Sequence, residues 1–177
     1  PAGGAPRSAG DGGGGRRLGG RERSVMIRRR GGDCLDTEDE FQQLLDEVAF
    51  ARESGADCVV AGMLTPDGRI DEERTAAFVA AAAGMEVTFH RAFDMVHDPE
   101  EALEALIRCG CRRVLTSGGR NTAPEGIDTI RRLVAASAGR IAIMAGSGIA
   151  AANVLDFVRA GVDAVHFSAR CMVGSRM

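Results

Sequence analysis

From Val25 almost to the end of the chain, short apolar runs alternate with longer stretches whose apolar residues recur every three or four positions. The runs have strand length and the stretches have helical period. Val25–Arg28 predicts a strand. Thr37 with Glu40 makes a capping box, and Phe41, Leu44, Leu45 and Val48 then trace an apolar stripe that runs to Gly55. Cys58–Gly62 predicts the next strand, Asp71 to Ala83 an alanine-rich helix, and Val87–His90 a third strand. Asp98 caps a helix with Pro99 at its first position. Leu103, Leu106 and Ile107 form its inner face and Gly110 ends it. Arg113–Thr116 reads as a strand. Glu125 to Ala138 reads as a helix through Ile127, Ile130, Leu133 and Val134. Ile141–Met144 is a strand, Ala151–Ala160 a helix through Val154, Leu155 and Val158, and Ala164–Phe167 the last strand.

Strict alternation of this kind predicts α/β architecture, a parallel sheet covered by outer helices. The spacing of strand ends, 23–34 residues, is that of a repeated βα unit. The junction Gly-x-Asp recurs as Gly55-Ala56-Asp57 and Gly161-Val162-Asp163, each closing a helix and opening a strand. A closed TIM-type barrel needs eight strands. About six parallel strands are legible, so the expectation is an incomplete (β/α) barrel spanning 25–177. Nine of the first 20 residues are glycine, and residues 1–24 are predicted to be a disordered Gly/Arg-rich arm.

Side chains alternate across a strand. The branched and aromatic positions belong under the helices. Arg28, Thr88, His90, His166 and Ser168 then share the inward face, mostly at C-terminal strand ends, where parallel α/β folds carry their sites. Thr88-Phe89-His90-Arg91-Ala92-Phe93-Asp94 places a histidine, an arginine and an aspartate together. Ser117-Gly118-Gly119 follows one strand, Gly146-Ser147-Gly148 the next, and Ser168-Ala169-Arg170 the last. Backbone amides, helix starts and an arginine suit a phosphate or carboxylate. Turn chemistry alone is the plainer explanation of each loop taken singly.

Composition narrows the chemistry. All 22 basic residues are arginine, which excludes lysine Schiff-base catalysis. There is no Tyr or Trp, so nucleic-acid binding by aromatic stacking is not expected. The first 30 residues carry eight arginines against Asp11 and Glu22, a net of +6, whereas the whole chain carries −3. No apolar run is long enough to span a membrane, and the start, at Pro1, has no secretory pattern. Five cysteines without scaffold spacing favour a reducing, cytoplasmic location. Cys58 reads as core. Cys109 and Cys111, at a helix-to-strand junction on the opposite end from the polar cluster, are either small buried residues or a pair of soft ligands for Cu(I). Among the Asp, Glu and His residues no spacing makes a metal motif, and no metal ligands are assigned.

Five stretches together resemble the CutC copper homeostasis family. They are Met26-Ile27-Arg28 leading to Arg30-Gly31-Gly32-Asp33, Leu64-Thr65-Pro66-Asp67-Gly68, Thr88–Asp94, Val114-Leu115-Thr116-Ser117-Gly118, and His166 with Ser168-Ala169-Arg170. The resemblance runs from Val25 to about Arg170 in unbroken order. It implies a TIM-type barrel, a cytoplasmic location and a copper-handling role with Cu(I) as cargo. It also implies that the chain enters the family pattern at the third strand. The cysteines tied to copper in the family lie in its first two strands, so Cu(I) binding here is expected to be weak.

Two function classes follow. The resemblance implies Cu(I) binding or trafficking. The residues themselves suggest an enzyme for a small anionic or phosphorylated metabolite. Its anion would be held by Arg28, Arg91, Arg170 and the loops at Ser117, Gly118, Gly119, Gly146, Ser147, Gly148 and Ser168. His90 or His166 would be the acid or base, oriented by Asp94. An inactive fragment is the third reading. With two barrel strands missing, the open edges also predict self-association, a homo-oligomer among the outcomes.

Overall fold

A computed structural model of the chain describes residues 22–28 and 34–168. Six strands, β1 (Ser24–Met26), β2 (Cys58–Ala61), β3 (Glu86–Phe89), β4 (Arg113–Thr116), β5 (Ala142–Gly146) and β6 (Ala164–His166), pair in parallel. They lie side by side in chain order. The helices α1 (Glu38–Glu53), α2 (Glu72–Ala82), α3 (Pro99–Cys109), α4 (Ile127–Ser137) and α5 (Val154–Ala160) alternate with them. This is the incomplete barrel that the hydrophobic pattern predicts. Among the described residues, β1 and β6 each pair with one neighbour only.

The helix side of the sheet is the core. Val59, Val87, Phe89, Val114, Ile143 and Ala145 are buried there against Leu44, Val48, Phe78, Leu103, Leu106, Ile130, Leu133 and Phe157. The concave side is open. Met26 is 44% exposed, and Val60, Ala142, Met144 and Ala164 are only half-buried. At its N-terminal end this face carries charge: Arg113 lies 3.3 Å from Glu86 and 3.5 Å from Glu22. Thr88 Oγ1 there lies 3.4 Å from the Cys58 thiol.

The repeat is written in hydrogen bonds and ion pairs. Asp57 Oδ2 accepts from the Arg23 N–H at 2.9 Å and Asp163 Oδ2 from the Ile143 N–H at 2.8 Å. In both Gly-x-Asp junctions the aspartate locks the start of its strand to the strand before it. Successive helices are joined by a glutamate and an arginine 36 residues further on. The pairs are Glu38–Arg74, Glu72–Arg108 and Glu104–Arg140, the last two bidentate. Arginine's planar fork suits that geometry.

Several caps match the sequence. The Thr37–Glu40 box forms in both directions, and Asp98 accepts from Glu100 N–H and Glu101 N–H. Other boundaries need correction. The helices starting at Glu125 and Ala151 by pattern begin at Ile127 and Val154. In α5 the stripe Val154, Leu155, Val158 is misread: Phe157 is the buried residue, while Leu155 and Val158 are 61% and 63% exposed. Past that helix the described part has no further helix to cover them. Glu22, Arg23 and Ser24, which the sequence pattern groups with the arm, are tied to Arg113, Asp57 and β2. Residues 1–21, and Arg170 with them, fall outside the described residues.

Candidate functional site at the strand ends

Two features lay beyond the periodicity, and both shape the C-terminal face. Arg91–Met95 winds into a 3-10 turn directly after β3, and Leu64 bridges to Ile70 in a small hairpin after β2. Because β3 and β4 are neighbours in a parallel sheet, the 3-10 turn and the Thr116-Ser117-Gly118-Gly119 loop meet at the same end.

Asp94 is where they meet. Its side chain is 8% exposed. Oδ1 accepts from the Thr116 hydroxyl at 2.5 Å, the Ser117 N–H at 2.9 Å and the Gly119 N–H at 3.1 Å. Oδ2 accepts from the Ser117 hydroxyl at 2.9 Å and from Arg91 Nε at 2.8 Å. The Gly118 N–H donates to Thr116 Oγ1. An anion nest is present, and the anion that fills it is the protein's own carboxylate. Two expectations are corrected by this. Asp94 orients the loop after β4 and not His90, and the Ser117 and Gly119 amides face Asp94 and not an external anion. Arg91 completes the clamp through hydrogen bonds to Ser117 Oγ and the Arg120 carbonyl.

The loop can approach this closely because of two glycines. Gly118 has φ +71°, and a Cβ on it would run into the Gly126 backbone at the start of α4. Gly126 was not singled out by sequence. The signal, a glycine in the cap position of a helix, was there but ambiguous. Ser147, at φ +81°, ties this loop to the next one. Its hydroxyl donates to the Asn121 carbonyl and its own carbonyl accepts from the Ala123 N–H. A Cβ on Gly146 would press on the tip of the Leu115 side chain. Gly148 is exposed.

His90 stands apart from this cluster. It is buried, and its Nδ1 accepts the Ala92 N–H at 3.1 Å, capping the 3-10 turn. Burial, with the Arg28 charge beside it, pushes its pKa down to about 4, so the ring is neutral at physiological pH. It lines a small cavity of about 20 Å³ with Ile27, Arg28, Cys34, Asp36, Leu44 and Gly62. Gly62 is a second residue that sequence reasoning missed: a Cβ there would lie 2.5 Å from His90 Nδ1. A larger hollow of about 500 Å³, between the starts of α1 and α2, shares Asp36 with this cavity. Arg74 lies across it, held by the Asp36 carbonyl and Glu38 and stacked 5.3 Å over Phe41. His166 and Ser168 are exposed at the end of β6.

Of the four described thiols, only Cys34 shares a cavity with a histidine, His90. Burial pushes the Cys58 and Cys109 thiols up and Cys111 up to about 12. Neutral thiols are poor metal ligands. Among the described residues no three His, Cys, Asp or Glu side chains converge on a metal position, and no helix is long and apolar enough to cross a membrane.

The sequence profile of the CutC family matches residues 21–171. The chain belongs to the CutC family. A family protein CutC of Xylella fastidiosa is 46% identical over 153 residues, which is 86% of this chain and 57% of that protein. A copper homeostasis protein cutC homolog of Homo sapiens is 45% identical over 154 residues, 86% of this chain and 56% of that protein. The chain thus spans somewhat over half the length of these relatives. The CutC crystal structure from Streptococcus agalactiae superimposes with a TM-score of 0.78 at 32% identity, covering 82% of this chain and 71% of that one. An aldolase superimposes at a TM-score of 0.65 and 18% identity, over 81% of this chain and 66% of that one. At that identity the likeness speaks for the barrel fold alone.

Proposed function

We propose that this chain serves copper homeostasis in the cytoplasm, handling Cu(I) as a weakly held, exchangeable cargo. The observation that carries the reading is the match to the CutC family along nearly all of the described chain, with a human relative named for copper homeostasis. Weak binding is supported by the chemistry of the donors. Cys58, Cys109 and Cys111 are held as neutral thiols, and His90 spends Nδ1 on a backbone N–H. Cys109 and Cys111 are the soft pair closest in sequence, and proton loss from Cys111 is opposed by its burial. Titration of the reduced full chain with Cu(I) against a colorimetric chelator tests this. The expected result is a weak site that releases Cu(I) readily and weakens further in Cys109→Ser with Cys111→Ser. No uptake at any copper level would reject the cargo role, and a tight one-to-one site that survives both substitutions would reject the ligand assignment.

A second reading is an enzyme for a small anionic metabolite. The observation that favours it is Arg28 beside a neutral imidazole in one cavity at the strand ends. Arg91, Ser117 and Gly119 no longer support it, because Asp94 occupies them.

A further inference from the structure

We propose that His90 is a fixed hydrogen-bond donor at the strand ends, and that together with Arg28 it receives a single oxygen of a small carboxylate or phosphate. The inference stands independently of the copper reading. Its geometry begins with the tautomer. A ring nitrogen that accepts an N–H carries a lone pair and no proton. Nδ1 accepts from Ala92, so the proton of the neutral ring sits on Nε2. That ring edge has no hydrogen-bond partner among the described residues. Two roles are closed to Nε2 in consequence, because both need its lone pair: general base and copper ligand. Moving the proton to Nδ1 would set it against the Ala92 N–H, donor against donor.

The cavity sets the size of what is received. About 20 Å³ holds one water-sized atom, so a ligand enters by one oxygen and keeps its body outside. The adjoining hollow of about 500 Å³ offers room for that body. The charges set the class. Arg28 is the cation on the cavity wall and Asp36 the carboxylate, so an anionic oxygen is attracted by one and opposed by the other, and affinity is modest. Gly62 sets the ring position, since the Cβ of any other residue would press on Nδ1. A buried neutral imidazole that donates to an oxygen is an established way to polarise a carbonyl without supplying a proton.

Histidine ¹⁵N NMR on the full chain tests the proposal, with His90→Gln to assign the signal. Nδ1 of His90 is expected at the position of a bare acceptor nitrogen and Nε2 at that of an N–H, unchanged from pH 8 down to pH 5. A proton on Nδ1, or protonation of the ring above pH 6, overturns it. Acetate and inorganic phosphate are then titrated separately. The Nε2–H signal is expected to move with one or both, and which one responds assigns the ligand class. Arg28→Gln is expected to weaken that response about tenfold, the loss of one charge-assisted bond. A signal that moves with neither anion overturns the proposal. So does an Arg28→Gln protein that responds as strongly as the parent.

Discussion

Replacing Asp94 by alanine is expected to destabilise the chain by about 3–4 kcal/mol. The carboxylate takes hydrogen bonds from Thr116, Ser117 and Gly119 and an ion pair from Arg91. Gly119 is exposed, so water replaces its acceptor at little cost. Arg91 is 42% exposed at its side chain, and its ion pair contributes little after screening. Thr116 and Ser117 are fully buried. Each buried donor left without an acceptor costs about 1–3 kcal/mol, and two of them set the figure. Asp94→Asn should cost less, about 1–2 kcal/mol. It keeps one oxygen for the amides and turns its NH2 toward Ser117 Oγ, which can accept. Urea titration measures the loss. Amide exchange at Ser117 and Gly119 shows where it falls, and protection there should drop before that of β3. Asp94→Ala within about 1 kcal/mol of the parent would refute the clamp. Because a domain's net stability is only about 5–15 kcal/mol, the effect is easily read.

Acid should loosen the fold through His90. The folded ring resists a proton down to about pH 4, while its ordinary value is 6.5. Below 6.5 the unfolded chain therefore binds a proton that the folded chain refuses. Stability is whole above that pH and falls by up to about 3 kcal/mol as pH drops toward 4; urea midpoints across pH 7 to 4 should flatten in His90→Gln. Gly118→Ala should cost at least as much as Asp94→Ala, because it adds a left-handed strain of about 1 kcal/mol to a backbone clash with Gly126; a melt unchanged from the parent would contradict the close approach. The purified chain should self-associate through its α5–β6 end, where Leu155, Val158 and Phe167 are more than 60% exposed; light scattering that finds a monomer across concentrations would contradict it.

The fold was legible because its two periods are physically different. A strand buried on its helix side and a helix with one apolar stripe leave separate marks, and the runs at Cys58, Val87 and Arg113 carried both type and order. Boundaries were less so. Val154, Leu155 and Val158 read as a buried stripe because periodicity cannot tell which neighbour is present; with no helix beyond α5 in the described part, two of the three meet water. The 3-10 turn at Arg91–Met95 was invisible because five residues are too few to show a period. That turn carries Asp94 away from His90 and onto the next strand's loop. The information was partly there: Thr-Ser-Gly-Gly after one strand supplies donors, and an aspartate just past the neighbouring strand supplies the acceptor. Reading them as a pair required knowing that the strands are adjacent.

In a closed barrel the strand-end residues are held in place by the ring of strands itself. Among the described residues the concave face is open, and β1 and β6 each pair with one neighbour only. Order at the C-terminal face comes from local devices, which the structure shows at the ends of β2, β3, β4 and β5. Asp94 gathers the loop after β4. Ser147 ties the loop after β5 to it. The Ala92 N–H fixes the imidazole that ends β3, while Gly62 at the end of β2 makes room for the ring. Apart from the Ala92 N–H, which acts within its own loop, these devices join neighbouring units, as the Gly-x-Asp junctions and the 36-residue ion pairs do elsewhere. Cohesion that depends only on adjacent units survives the absence of distant ones, much as in repeat proteins. That explains how the six described units hold the geometry of a barrel mouth through contacts between neighbours.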